Sequence, residues 1–201
     1  MGLVGNTTLR IFNKSLNIMN TLIIIVNPNT NSFSFGIANK YKEIALSKHH
    51  QVEILDLYRE RNQQTFHYFI NTEKTEVTKE MKYFQEKIKW ADELVFVFPI
   101  WWGSMPAILK NFFDWNFNSG FAFKYVNSRP KGLLNDKIVK VFTTAGTPTL
   151  IYTLSGAKRR LKNTLKKQIF EFCGMKLVEF NLFGGMNTNN VNTQKVLDRI
   201  R

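Results

Sequence analysis

Five short apolar runs, each followed by a polar or helical stretch, constrain this chain more than any other feature. "TLIIIV" (21–26), "QVEILDL" (51–57), "ELVFVFPI" (93–100), "KIVKVFTT" (137–144) and "MKLVEFNLF" (175–183) have strand length and are rich in β-branched and aromatic residues. The third is continuous enough to be buried on both faces. Between the runs, apolar residues recur at helical spacing. Helices are predicted over 33–50, over 76–92 with Val77, Met81, Phe84 and Ile88 on one side, and over 106–117 with Pro106 in the first turn. A basic helix is predicted to end near Cys173, and a short one to close the tail. Strands alternating with helices imply an α/β doubly wound parallel sheet with helices on both faces. Right-handed crossovers leave few topologies, and five strands fit the order 2-1-3-4-5.

That architecture dictates where chemistry can sit. Ligands bind beyond the carboxyl ends of the strands, at the switch point between strands one and three. Three turns must then carry it: those after Val26, Phe98 and Thr143. The first, "NPNTNSFSF" (27–35), leads short polar residues into a helix start, where amides and the helix dipole favour a phosphate. Ser32 and Ser34 add hydroxyls. It is neither a Walker loop nor a G-x-G-x-x-G turn, and it also reads as a helix cap with no ligand.

The second turn, "PIWWGSM", places Pro99, Ile100, Trp101, Trp102 and Gly103 directly after the most apolar strand. Indole faces suit a planar heterocycle, and Gly103 lets backbone approach it. A hydrophobic plug or a dimer contact would use the same residues. The third, "TTAGTPTLIYTLSG", offers Thr143, Thr144, Ala145 and Gly146 as small residues whose amides could face a ring edge. Tyr152 could donate to a developing anion. Taken together at one sheet edge, one turn suited to phosphate and two suited to a flat polar ring describe a flavin nucleotide.

Composition narrows the surroundings. The 201 residues suit one domain, 19–201, after a leading segment, 1–18, that is either a disordered extension or an unused upstream start before Met19. One cysteine, Cys173, excludes an intrachain disulfide and suits a reducing, cytoplasmic setting. No apolar run reaches membrane-span length. Residues 58–72 read as irregular. His49 and His50 close the first helix and His67 sits in that loop, none at metal-ligand spacing, so no metal is expected. The formal charge of +13 attracts anions. Its densest part, "KRRLKNTLKK" (158–167), reads as a solvated helix face or a specific polyanion site; no nucleic-acid motif accompanies it, and no nucleic-acid partner is expected.

With those residues in view, the chain resembles the flavodoxin-like NAD(P)H:quinone oxidoreductases, the DT-diaphorase group and its short bacterial relatives. "NPNTNSF", "FVFPIWWGSMPAILKNFFDWNFNSGFAFKY" and "TTAGTP…Y…G" with "FCGM" carry the resemblance over roughly Thr21 to Phe183. The resemblance implies a homodimeric flavoprotein passing a hydride from NAD(P)H through FMN, or alternatively FAD, to quinone-like acceptors. Asn27, Ser32, Phe33 and Ser34 would hold the phosphate. Pro99–Gly103 and Thr143–Gly146 would hold the ring, with Tyr152, Lys158 and Gly146 nearest the chemistry. Phe123 and Tyr125, in a loop of about twenty residues after the third helix, would line the substrate space beside the partner's flavin. Two departures stand out: Asn27 where the family has His, and Lys158 where the DT-diaphorase group has a second His. Some short relatives are instead ancillary subunits of potassium efflux systems, and peripheral contact with such a membrane transporter is the alternative role.

Overall fold

The computed structural model describes residues 18–67, 77–186 and 193–200. Five parallel strands form the central sheet: β1 (Asn20–Ile25), β2 (Gln51–Asp56), β3 (Glu93–Pro99), β6 (Ile138–Thr144) and β7 (Lys176–Phe183). Their order is β2-β1-β3-β6-β7, the doubly wound topology predicted above. All seven residues of β3 are buried, because helices cover both of its faces. Two apolar layers result. One packs Leu22, Ile24, Phe96, Phe98, Phe113 and Phe170 on one side of the sheet; the other packs Ile23, Ile25, Val95, Val97, Ile37 and Phe142 on the other.

Three helices fall where periodicity places them: α1 (Phe33–Ser47), α2 (Lys79–Trp90) and α3 (Ala107–Asn116). The first stops short of the predicted His50, since His49 turns left-handed at φ 61°. The second starts later than predicted. Thr78 caps it by accepting from Met81 N–H, so Val77 lies outside the helix and is exposed, while Met81, Phe84 and Ile88 are buried as expected.

The long loop after α3 is not structureless. It holds an antiparallel hairpin, β4 (Phe123–Val126) and β5 (Arg129–Gly132), closed by Asn127 and Ser128, both at positive φ. A two-residue turn of that kind matches strand twist. Pro130 and the polar surface hid it from a reading built on apolar alternation. The basic helix is likewise not continuous. It comprises α4 (Thr149–Leu154), a left-handed Gly156 (φ 72°), α5 (Ala157–Asn163) and a π-helical segment (Thr164–Phe170). Leu161 and Leu165 face inward while Arg159, Arg160, Lys162 and Lys167 face water. A short α6 (Thr193–Leu197) packs on α1 near the chain end. The segment 1–17, and so nearly all of the predicted extension, lies outside the described residues. No helix among the described residues is long and apolar enough to cross a membrane.

Candidate functional site

Parallel strands deliver their carboxyl ends to one edge, and the turns there enclose a cavity of about 420 Å³. The first turn contributes Asn27, Asn29, Ser32, Phe33 and Ser34; the second Pro99, Ile100 and Trp101; the third Thr144, Ala145 and Gly146. Residues from three separated parts of the sequence are thus brought together.

The first turn is held by its own amides. Asn27, largely buried, accepts from Asn29 N–H at 3.0 Å and donates to Ser34 Oγ at 3.2 Å. Asn29 Oδ1 accepts from Asn31 N–H at 2.9 Å, and Ser32 N–H donates to Asn29 O at 3.1 Å. Both Asn27 polar groups are therefore used inside the protein, bracing the turn. Ser32 is different. It occupies the N-cap of α1 yet makes no side-chain cap bond, and its buried Oγ has no hydrogen-bond partner. A buried hydroxyl without a partner is costly, so this one calls for a ligand. It stands at the positive end of a fifteen-residue helix whose first turn bears no acid.

The second turn is a tight reversal. Trp101 and Ser104 exchange N–H···O bonds at 3.0 Å, and the residues between, Trp102 and Gly103, lie at φ 51° and 76°. The two indoles part company as a result. Trp101 faces the cavity, while Trp102 stands wholly in solvent on the rim. A left-handed backbone on a bulky residue is strained, and such strain concentrates at functional turns.

The third turn is strapped to the segment after β7. Ala145 N–H donates to Phe183 O (2.9 Å), Met186 N–H to Ala145 O (3.0 Å) and Gly184 N–H to Thr149 Oγ1 (2.8 Å). A side chain at Gly184 would meet Thr149 N at 2.4 Å, which excludes any residue but glycine there. Met186 consequently lines the cavity, a contribution the sequence reading missed. Its signal was position: it follows the fifth strand at the same sheet edge.

Other predicted residues lie elsewhere. Gly103 shapes the reversal but does not line the cavity. Thr143 is fully buried in β6, its Oγ1 without a partner, one position below Thr144. Tyr152 and Lys158, both half-buried, stand on α4 and α5 just past the third turn, outside the lining.

Phe123 lines a second, larger cavity of about 770 Å³ with Met105, Phe113, Phe117 and Phe172, and its ring sits 4.8 Å from that of Phe172. Tyr125 is exposed on the hairpin. The Ile100–Ser104 reversal separates the two cavities, with Ile100 and Trp101 on the smaller and Ser104 on the larger. Cys173 borders the larger one, and burial pushes its thiol up to about 12, so it is protonated and a poor nucleophile. Among the described residues, no group of three or more His, Cys, Asp or Glu could hold a metal ion.

Comparison with known proteins agrees with this fold. The model of a family described as flavodoxin-like fold matches residues 19–201. An uncharacterized NAD(P)H oxidoreductase of Haemophilus influenzae is 31% identical over 89% of this chain and 90% of its own length. The FMN-dependent NADH:quinone oxidoreductase 1 of Bacillus licheniformis is 29% identical over 80% of this chain and 81% of its own. The crystal structure of Smu.1420 from Streptococcus mutans is 32% identical and covers 90% of this chain and 96% of its own, with a TM-score of 0.77. Against the rat ribosyldihydronicotinamide dehydrogenase [quinone], the match spans 62% of that protein's length.

Proposed function

Since the chain belongs to the family of flavodoxin-like fold, we propose that it is a flavin-dependent oxidoreductase, moving a hydride from NAD(P)H to quinone-like acceptors. The observation that carries this reading is the meeting of three turns on one cavity with an unpaired Ser32 hydroxyl in its wall. FMN is the flavin this reading takes, because the Bacillus relative bears FMN in its name.

Ser32 and the first-turn amides of α1, at Phe33 and Ser34, would hold the phosphate. Trp101, Pro99 and Ile100 would flank one side of the ring, and Thr144 to Gly146 would meet its polar edge. Bound there, the flavin supplies the two-electron chemistry that no side chain here can supply. The chain's own work is to seat it, keep water off and place charge. Tyr152 offers a phenol proton and Lys158 a cation next along the chain from the cavity wall, both suited to a developing anion. Lys158, standing where relatives of the DT-diaphorase group carry His, would stabilise charge without relaying protons. The overall positive field recruits anionic NAD(P)H. The enzyme would act as a homodimer, with Phe123 and Tyr125 lining the partner's substrate space.

The absorption spectrum of the purified protein tests this. Flavin bands, bleached anaerobically by NADH or NADPH and restored by a quinone, are expected, with FMN released on denaturation. A protein with aromatic absorption alone, unchanged by added FMN or FAD, would refute it.

A further inference from the structure

The phosphate-facing turn is braced from outside by a residue that does not line the cavity. Arg59 lies just past the end of β2, the strand that pairs with β1, so its loop runs beside the first turn. Its Nη1 donates to Asn27 O at 3.4 Å, and its Nη2 donates to Pro28 O. Asp56, the last residue of β2, pairs with Nη1 at 2.8 Å and fixes the guanidinium. The same group stands 5.6 Å from the centre of the Phe35 ring, in the first turn of α1. One planar fork thus ties together the end of β2, two carbonyls of the turn and the start of the helix.

We infer that Arg59 is a positioning residue for the anion cradle, acting through the main chain of Asn27 and Pro28. Two carbonyls beside an anion would repel it if they swung inward. Held by the guanidinium, they point to Arg59, outside the cavity wall. Asn27 and Asn29 brace the inner side, and within this turn Ser32 Oγ is left with nothing to bond. The contribution is geometric more than electrostatic, because Asp56 already neutralises the charge. A lysine, with one ammonium in place of a fork, cannot hold two carbonyls and a carboxylate in the same plane.

The inference rests on the flavin reading above, and the test separates them. The full-length chain, freed of flavin, is titrated with FMN and with riboflavin, which lacks the phosphate, for wild type, Arg59→Gln and Arg59→Lys. Both variants should raise the Kd for FMN about tenfold, the size of one or two lost hydrogen bonds, and the Kd for riboflavin less than about twofold. If Arg59→Lys binds FMN as wild type does, charge rather than bracing matters and the inference fails. Equal losses for FMN and riboflavin would mean general damage and also overturn it. Should Arg59→Gln not fold, Arg59→Lys alone decides. A wild type that binds neither flavin sinks the flavin reading itself, whatever the variants do.

Discussion

Ser32 occupies an N-cap position and caps nothing, which sets it apart from Thr78, whose hydroxyl accepts from Met81 N–H at 3.2 Å. Removing a working cap costs about 1 kcal/mol. Ser32→Ala should therefore leave thermal stability of the flavin-free protein unchanged or raised, since it removes a buried hydroxyl with no partner, while weakening FMN binding roughly tenfold, the worth of a hydrogen bond to a charged oxygen. Melting curves beside an FMN titration check it; a lower Tm with unchanged FMN affinity would reduce Ser32 to a structural serine. Trp102 invites the opposite experiment. Its side chain is wholly exposed and its φ is 51°, so truncation loses no packing and relieves strain. In the dissociated single chain, Trp102→Gly should gain about 0.5–1 kcal/mol of stability in denaturant unfolding, the strain relief exceeding glycine's added unfolded-state freedom. A loss of that size would show the indole to be packed after all.

At the level of elements, the sheet carries a polar knot at the end opposite the cavity. Glu93 is fully buried at the start of β3 and accepts from Thr21 Oγ1 and Tyr41 Oη, both at 2.9 Å. Lys140, on the neighbouring strand β6, sits 3.2 Å from the same carboxylate and donates to Tyr41 Oη at 2.8 Å. Lys140→Met strands a buried carboxylate and should cost about 3–5 kcal/mol, whereas the double change with Glu93→Leu should recover most of that. Urea unfolding of the single and double variants measures both; an additive outcome would mean the pair is not coupled. Burial, then Glu93, raise the Tyr41 phenol, and burial alone raises the Cys173 thiol to about 12. Groups held protonated by the fold stabilise it fully below their unfolded pKa, and that stability is lost as pH rises through the folded value. The unfolding free energy should thus decline from about pH 9 upward, and Cys173→Ala should make the decline shallower between about 9 and 12.

The strands and their order were legible because β3, buried along all seven residues, forces a continuous apolar run that no other element explains. The hairpin at Phe123–Gly132 was not, since its residues are mostly exposed and Pro130 breaks the strand pattern. The cavity-lining turns were legible for a topological reason: parallel strands fix which turns share an edge. Arg59 was not, because its side chain acts on main-chain carbonyls of a segment far away in sequence; Met186 was legible only by its position after β7.

For the whole molecule, the unresolved debt is apolar surface. Trp101, Trp102, Tyr125, Val126, Leu150, Ile151 and Leu154 are exposed, and a cavity of about 770 Å³ lies open between α3, the hairpin and the π-helical segment. Singly such residues mean little, but exposed large apolar groups together with an open apolar cavity are what a surface to be covered would offer. A second copy of the chain, docked with its hairpin over this region, would cover it and place Tyr125 beside the partner's cavity. The interface would need roughly 800 Å² from each copy to be stable. Repulsion between two chains of charge +13 opposes such docking, so the association should tighten as salt rises. Sedimentation of the wild type should accordingly give twice the 23.5 kDa chain mass at physiological salt and partial dissociation on dilution into low salt. Tyr125→Glu should shift the protein toward the monomer and lower kcat/KM for a quinone by an order of magnitude or more, leaving FMN affinity within about twofold, since Tyr125 does not line the cavity proposed for the flavin. A wild type that sediments as a monomer at every salt concentration, yet reduces quinones fully, would mean that each chain is complete by itself and that the apolar rim serves another purpose.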